Sequence, residues 1–193
     1  MRALLLSFSG RKDPGNCIKI LEFIKREIAA KYMDSFLLNI TELKISPCLR
    51  CNYECFNKDL GCMINDDVEY VYKEILSSDI LIMCVPVYSS APPSIYFSLR
   101  ERGQSFFKTD ELFMKYANVK KLYIIIGKKI SGGMETIEIL LNDDKNATDD
   151  DVLLLESNEF GQKSIEGNLI NCDEVKNRVR DFLSRKLAER YQL

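Results

Sequence analysis

Five short apolar segments alternate along this chain with amphipathic patterns, and this alternation constrains the fold more strongly than any other feature. Segments that are apolar throughout are typical of strands covered on both faces, while the stretches between them have the apolar repeat of helices. Strands that alternate with helices form a parallel sheet with helices on both faces. The five segments are residues 3–8, 35–40, 79–87, 122–126 and 152–155.

We expect these strands to form a single doubly wound α/β domain over residues 1–193, with strand order 2-1-3-4-5. In this arrangement ligands bind outside the carboxyl ends of the strands, near the switch between strands 1 and 3. The loops that can carry chemistry are therefore those after Phe8, Val87 and Ile126, together with the long loop of residues 41–66.

Helices are predicted between the strands, and one tract is predicted to have no regular structure. The acidic residues 142–151 are expected to form a solvated surface loop. The helices are predicted at residues 17–32 and 173–190, after the Asn65-Asp66-Asp67 cap, after Pro92-Pro93, and from Glu135.

The chain has no histidine among its 193 residues. Ser-His-Asp and Cys-His catalysis and histidine-ligated zinc sites are therefore excluded, which favours a cofactor as the source of any difficult chemistry. A net charge of -2 gives no general attraction to nucleic acid or to anionic membranes. No apolar run approaches the ~20 residues of a membrane span, and the first apolar stretch is too short for a signal peptide. We expect a cytoplasmic protein.

The chain contains seven cysteines. An odd number of cysteines in a chain without a secretory signal argues against a disulfide framework. Four of them fall in the long loop with the spacing Cys48-x2-Cys51-x3-Cys55-x6-Cys62. These four thiolates could ligate one [4Fe-4S] cluster. Tetrathiolate zinc and a metal-free set of half-buried thiols are the alternatives. Cys84 lies inside an apolar strand and is predicted to be core.

The segment between the first strand and the first helix has the composition of an anion site. It contains Gly10 and Gly15, hydroxyl and amide side chains, and Arg11. A loop of this kind at a helix N-terminus presents backbone N–H groups and the positive end of the helix dipole to an anion. It matches neither the G-x-G-x-x-G dinucleotide pattern nor the Walker pattern. A phosphate site and an ordinary turn with an N-cap are both compatible with it.

Four motifs, in order along the chain, carry a resemblance to a known family. The segment PVYSSAPPS at residues 86–94 is similar to the P-V-Y/W-x-x-x-x-P loop of the NADPH-dependent FMN reductase family. These are flavodoxin-like proteins, and they include the iron–sulfur flavoproteins. The resemblance covers residues 2–141. The other motifs are Ser7, Ser9, Arg11, Gly15 and Asn16 in the first loop, the cysteine loop from Pro47 to Cys62 with Asp66-Asp67, and Gly132-Gly133-Met134-Glu135-Thr136.

The resemblance implies an FMN at the carboxyl ends of the strands. Ser9, Arg11 and Asn16 would hold its phosphate, while residues 86–89 and the glycines at 132–133 would lie against the isoalloxazine ring. No side chain is predicted to be catalytic, because the flavin carries the chemistry. The implied cofactor-binding residues are Ser7, Ser9, Arg11, Gly15, Asn16, Cys17, Pro86, Val87, Tyr88, Ser89, Gly132 and Gly133.

The implied function is that of an enzyme, an NAD(P)H-dependent FMN reductase-like oxidoreductase. Hydride would pass from NAD(P)H to FMN, and electrons would pass on to a small-molecule or protein acceptor. An iron–sulfur flavoprotein that carries electrons through a [4Fe-4S] cluster on the four-cysteine loop is one alternative. A flavodoxin-like binding module without flavin is another, because Phe8 replaces a small residue and Cys17 replaces a phosphate-binding threonine.

The resemblance also implies a homodimer or higher homo-oligomer with the flavin near the interface. An aromatic cluster after the third helix is predicted either to cover the sheet or to form a dimer contact. This cluster consists of Phe106, Phe107 and Phe113.

Overall fold

A five-stranded parallel sheet forms the centre of the computed structural model, which describes residues 1–11, 13–31, 33–49, 51–57 and 62–191. The strands are β1 (Arg2–Ser7), β2 (Asp34–Asn39), β3 (Ile80–Pro86), β4 (Lys120–Ile126) and β5 (Val152–Leu155). Their order in the sheet is β2-β1-β3-β4-β5, and the pairings are parallel. This confirms the strand order that the sequence predicts.

Helices cover both faces of the sheet. In the described part of the chain they are α1 (Asn16–Ala29), α2 (Val68–Leu76), α3 (Ser94–Arg102), α4 (Asp110–Asn118), α5 (Gly133–Asp143) and α6 (Asp173–Tyr191). The predicted first helix ends at Ala29, and its predicted last residue, Tyr32, lies outside the described residues. Within those residues, no helix combines the length and the apolar character needed to cross a membrane.

The continuous apolar runs of the central strands follow from this double cover. Successive side chains of a strand point to opposite faces, so a strand covered on both sides must be apolar at every position. In β1, Leu5 packs in the core cluster formed with α1 and α6, while Leu4 and Leu6 pack in the cluster formed with α2 and α3. Every residue of β3 is buried.

Helix α4 is not predicted by the sequence pattern. Its N-cap is Thr109, whose side-chain oxygen accepts a backbone N–H from the first turn at 3.3 Å. Before it, Phe106 and Phe107 pack on the ring of Tyr72, with ring centroids 4.9 and 5.4 Å away. These two residues therefore cover the core on this face. Phe113 is 54% exposed, and a dimer contact stays a prediction for it.

The acidic tract before β5 is exposed at six of its ten residues, as its composition predicts, but two of its aspartates are not solvated. Asp144 and Asp151 are buried, with 8% and 2% of their surface exposed. Asp151 lies 2.5 Å from Nζ of Lys120 and 3.5 Å from Nζ of Lys186, and Asp144 lies 3.4 Å from Nζ of Lys121. Burial raises the pKa of Asp151, but the hydrogen bond from Lys120 and the neighbouring positive charges outweigh burial and lower that pKa.

We expect Asp151→Asn to lower the free energy of unfolding by about 3 kcal/mol, because it leaves the buried Lys186 and the half-buried Lys120 without this carboxylate. Since folding lowers the pKa of Asp151, the stabilisation is present above the ordinary carboxyl pKa of ~3.9 and is lost as the pH falls through the lowered value. Urea denaturation at neutral pH and in acid measures both effects. Asp150→Asn, at an exposed neighbour, is the control and should change stability by less than ~0.5 kcal/mol. Equal losses in the two variants would contradict the buried pairs.

Candidate functional site

Three loops meet at the carboxyl edge of the sheet, where this fold places its ligands. The β1–α1 loop lies beside the turn after β3, since a Cβ on Gly10 would stand 3.9 Å from the ring of Tyr88. Contact of this edge with a flavin stays a prediction. The predicted cofactor-binding residues all belong to these loops or to the strand and helix ends that flank them, namely Ser7, Ser9, Arg11, Gly15, Asn16, Cys17, Pro86, Val87, Tyr88, Ser89, Gly132 and Gly133.

Two serine side chains shape the β1–α1 loop. Oγ of Ser7 accepts the N–H of Ser9 at 3.3 Å, and Oγ of Ser9 accepts the N–H of Arg11 at 3.5 Å. Helix α1 begins after Gly15 with no side-chain cap from the described residues and with no acidic residue in its first turn. Its first N–H groups and the positive end of its dipole are therefore available to an anion such as a phosphate.

Residues 157–171, which the sequence analysis leaves unassigned, close over this loop. Nη1 of Arg11, Nδ2 of Asn16 and Nζ of Lys19 donate to backbone carbonyl oxygens of this segment at 2.7, 3.0 and 2.7 Å. Oδ1 of Asn16 accepts the N–H of Leu169 at 3.0 Å. Both the nitrogen and the oxygen of the Asn16 side-chain amide thus have hydrogen-bond partners within the protein. Arg11, by contrast, makes its hydrogen bond through Nη1.

The turn after β3 is a two-residue turn of the hairpin type. Tyr88 N–H donates to the carbonyl of Ala91 at 2.8 Å, and Ala91 N–H donates to the carbonyl of Tyr88 at 3.0 Å. The central residues Ser89 and Ser90 have φ of +48° and +66°, which non-glycine residues rarely adopt. Such backbone costs about 1–3 kcal/mol per residue and clusters at functional sites. Among the described residues, the N–H groups of Ser89 and Ser90 have no acceptor.

The loop after β4 approaches this turn so closely that only glycine fits at two positions. A Cβ on Gly127 would stand 2.4 Å from Cγ2 of Val87, and a Cβ on Gly132 would stand 2.1 Å from Cα of Ser90. Gly132 also has φ of +97°, which glycine adopts readily. The next residue, Gly133, begins α5. The predicted glycine motif therefore lets two backbones meet at the site.

The thiol of Cys17 lies in the core rather than in the phosphate loop. Cys17 is 2% exposed and belongs to the same core cluster as Cys84, which is fully buried as predicted. Burial raises the pKa of the Cys84 thiol, and its hydrogen bond with Cys17 raises that pKa further. A contact between Cys17 and a phosphate would therefore use its backbone N–H and not its sulfur.

The four clustered cysteines line one cavity of about 410 Å³, between the loop after β2 and the end of α3. Residues 50 and 58–61 of that loop lie outside the described part of the chain. Burial raises the pKa of Cys55, and the charges of the other three thiols raise it further. As they stand, no three of the described thiols and carboxylates are grouped so that they could hold a metal ion. The cysteines are Cys48, Cys51, Cys55 and Cys62.

A buried ion pair lies beside this cavity. Nη1 and Nη2 of Arg102 donate to the two carboxylate oxygens of Asp66 at 2.8 and 2.9 Å. Burial raises the pKa of Asp66 and lowers that of Arg102, but the hydrogen bonds between them outweigh burial, so the pKa of Asp66 is lowered and that of Arg102 is raised. Asp66 also accepts the N–H of Val68, the first residue of α2, at 3.3 Å, whereas the N-cap residue is Asp67, which makes no side-chain cap hydrogen bond. The pairing of Asp66 with Arg102 has no signal in the sequence.

Comparison with known proteins agrees with this geometry. The described architecture is the flavodoxin-like fold, and the FMN-dependent NADH-azoreductase of Bacillus anthracis, solved in complex with FMN, shares it with a TM-score of 0.59. That match has 11% sequence identity and covers 94% of this chain and 99% of the azoreductase. The chain belongs to the NADPH-dependent FMN reductase family, whose family model matches residues 1–141. The resemblance drawn from the motifs is therefore confirmed.

Two relatives are iron–sulfur flavoproteins. One, from Methanocaldococcus jannaschii, is 28% identical over 97 residues, which cover 50% of this chain and 48% of the relative. The other, from Methanosarcina thermophila, is 28% identical over 103 residues, which cover 53% of this chain and 52% of the relative. The matches thus span about half the length of each relative.

Gly132 and Gly161, two of the three described glycines with positive φ, allow the cost of backbone strain to be measured separately from the cost of loop contact. Nothing lies within 4 Å of a Cβ on Gly161, so Gly161→Ala should lower the free energy of unfolding by about 1 kcal/mol through strain alone. Gly132→Ala should cost at least ~1 kcal/mol more, because its Cβ displaces the turn at Ser90, and it should weaken FMN binding. Urea denaturation and flavin titration measure the two effects. Equal stability losses with unchanged FMN affinity would contradict the close packing.

Proposed function

We propose that this protein is an NAD(P)H-dependent oxidoreductase that holds FMN at the carboxyl edge of its sheet, within a single FMN-binding domain over residues 1–193. The observation that carries this proposal is the meeting of three family loops beside the uncapped N-terminus of α1. The chemistry supplied by FMN bound there is acceptance of a hydride from NAD(P)H and delivery of electrons to a small-molecule or protein acceptor.

The first loop fits a phosphate. Arg11 uses Nη1 for a backbone carbonyl, which leaves its other guanidinium N–H groups for phosphate oxygens. The hydroxyl of Ser9 and the first N–H groups of α1 add neutral donors to the same anion. The nitrogen and the oxygen of the Asn16 side-chain amide already have hydrogen-bond partners within the protein. Asn16 would therefore bind the phosphate through its backbone N–H.

The turn after β3 fits the isoalloxazine ring. The N–H groups of Ser89 and Ser90 are free to donate to the polar edge of the ring, and such donors tune the stability of its reduced form. Tyr88 is 42% exposed beside them and offers an aromatic face for stacking. Glycine at 132 and 133 lets the loop after β4 pack closely, against the turn at Ser90 and against its own residue Lys128, on the side where the resemblance places the opposite edge of the ring. None of these roles needs a histidine.

We also propose a cytoplasmic location and a homodimer. All seven cysteines are free thiols, which suits a reducing compartment. Apolar side chains are exposed on the turn after β3, on the loop after β4 and at the start of α5, where Tyr88 is 42%, Ile130 is 93% and Met134 is 40% exposed. Exposed apolar surface of this kind marks interaction sites, and a second copy over this edge would bury it.

A [4Fe-4S] cluster is a second candidate, favoured by the observation that all four clustered thiols line one cavity. Cysteine thiolates are the usual ligands of such clusters. The described sulfurs are not grouped for a metal as they stand, so the loop would close around the cluster as it assembles. The protein would then act as an electron carrier. Tetrathiolate zinc is the alternative that the same donors allow.

Arg11→Gln should weaken FMN binding about ten- to hundredfold, because a hydrogen bond from a charged group contributes about 1.5–3 kcal/mol. Riboflavin lacks the phosphate and should bind the variant and the wild type equally. Arg26→Gln removes the same charge from an exposed position at the other end of α1 and should leave FMN affinity unchanged. Quenching of flavin fluorescence on titration with apoprotein measures each affinity.

Two results of this titration would count against the assignment. Equal weakening of FMN and riboflavin would place Arg11 away from the phosphate. A wild-type protein that binds no FMN would favour the flavin-free binding module.

Cys51→Ser should abolish uptake of iron and sulfide, because it removes one of the four ligands. Cys172→Ser is the control, since Cys172 packs against the core away from the cysteine loop, and it should assemble the cluster normally. Iron and acid-labile sulfide are measured after anaerobic reconstitution. Zinc without sulfide would identify the zinc alternative, and a wild type that binds neither would leave the thiols metal-free.

A further inference from the structure

A second cavity lies on the face of the sheet that α2, α3, α4 and α5 cover, away from the carboxyl edge. Its volume is about 380 Å³. Leu81 and Met83 of β3 and Tyr123 of β4 line it from positions inside the strands. Its described lining residues include none of the predicted flavin ligands and none of the four clustered cysteines. The cavity is therefore separate from both sites described above.

Six of the described lining residues are aromatic. The ring of Phe107 packs on those of Tyr72 and Tyr116, with centroids 5.4 and 4.5 Å away. Phe113 meets Phe107 edge-on at 6.4 Å and is 54% exposed, and none of the residues of its helix α4 is fully buried. Ligand cavities of this size are typically lined by apolar and aromatic side chains with a few polar groups. The wall thus offers flat apolar surface to the ring of a ligand.

The two carboxylates that line the cavity already have counter-charges. Asp143 lies 2.8 Å from Nη2 of Arg100, and Asp144 lies 3.4 Å from Nζ of Lys121. Each carboxylate also accepts a hydroxyl from a lining tyrosine, at 2.6 and 3.3 Å. A charged ligand would lose its hydration here without finding a free counter-charge, which is costly. The cavity therefore suits a neutral molecule.

One of the four lining tyrosine hydroxyls is left for a ligand. Three of them donate to oxygens of the protein. The hydroxyl of Tyr116 has no hydrogen-bond partner among the described residues. Burial raises the pKa of Tyr116, and the charges of Asp144 and Asp143 raise it further. This hydroxyl therefore keeps its proton and can donate it to an acceptor in the cavity.

We propose that this cavity binds a neutral, planar aromatic molecule of up to two fused rings, which lies against the aromatic wall and accepts a hydrogen bond from Tyr116. A cavity of about 150 Å³ is enough for benzene, so about 380 Å³ admits two fused rings and a small substituent. Binding makes and breaks no covalent bond, and it is independent of the flavin and the cluster proposed above.

Equilibrium dialysis of the protein against 2-naphthol and against naphthalene, with FMN present in excess, tests this site. FMN keeps the proposed flavin site filled, so the probes report on the rest of the molecule. The two probes have the same rings, but only 2-naphthol has an oxygen. Tyr116→Phe should weaken binding of 2-naphthol about threefold to tenfold, because it removes one neutral hydrogen bond, and should leave binding of naphthalene unchanged.

Tyr70→Phe is the matched control, since Tyr70 is 39% exposed on α2 and does not line the cavity. It should leave both affinities unchanged. Asn142→Trp puts a two-ring side chain at an exposed position of the cavity wall and should weaken both probes at least tenfold. Urea denaturation verifies that each variant is folded.

Three results would overturn the site. A wild type without saturable binding of either probe would leave the cavity without this ligand. Affinities that Asn142→Trp leaves unchanged would place the probes elsewhere. Equal weakening of the two probes by Tyr116→Phe, or binding of the anion 2-naphthoate as tight as that of 2-naphthol, would contradict the hydroxyl contact or the neutral ligand.

Discussion

Parallel pairing of strands that are buried on both faces is the constraint on which the rest of the structure depends. It brings the carboxyl ends of the strands to one edge, and it leaves the loops at that edge as the place for polar chemistry. Segments far apart in sequence, at residues 8–15, 87–91 and 127–133, therefore meet. The meeting is tight because Gly127 and Gly132 allow the loop after β4 to lie directly on the turn after β3.

The strands, their order and the loops that form the candidate site could be predicted from the sequence because each has a local pattern. Continuous apolar runs mark the strands, and the glycines and the Pro-Val-Tyr motif mark the loops. Helix α4 has only a weak mark, since none of its residues is fully buried and Tyr116 is the residue of this helix that packs against the core cluster. The segment at 157–171 has only two weak signals, Gly161 and Gly167, whose positive φ permits its turns.

Long-range polar contacts could not be predicted at all. The pairs of Asp151 with Lys120 and of Asp66 with Arg102 join residues that are distant in sequence, and a charged residue destined for burial looks like any surface charge in the sequence. The same holds within the candidate site. The family resemblance implies Asn16 as a phosphate ligand, whereas the side-chain amide of Asn16 in the structure joins the first loop to the chain near Leu169.

Helix α3 connects the two proposed redox sites. It begins at Ser94, directly after the turn proposed to hold the flavin ring, and ends at Arg102 in the cysteine cavity. At 1.5 Å per residue, this nine-residue helix spans roughly 13 Å. One rigid element thus fixes the separation of the two sites, which suits transfer of electrons between a flavin and a cluster.

Reduction of bound flavin by NADPH tests the central claim most directly. The measurement is an anaerobic absorption spectrum of protein incubated with FMN and freed of unbound flavin, before and after NADPH is added. We predict oxidised-flavin absorption that travels with the protein, bleaches with NADPH and returns when an electron acceptor is added. Protein that stays colourless after incubation with FMN, or bound flavin that NADPH leaves oxidised, would contradict the proposed oxidoreductase.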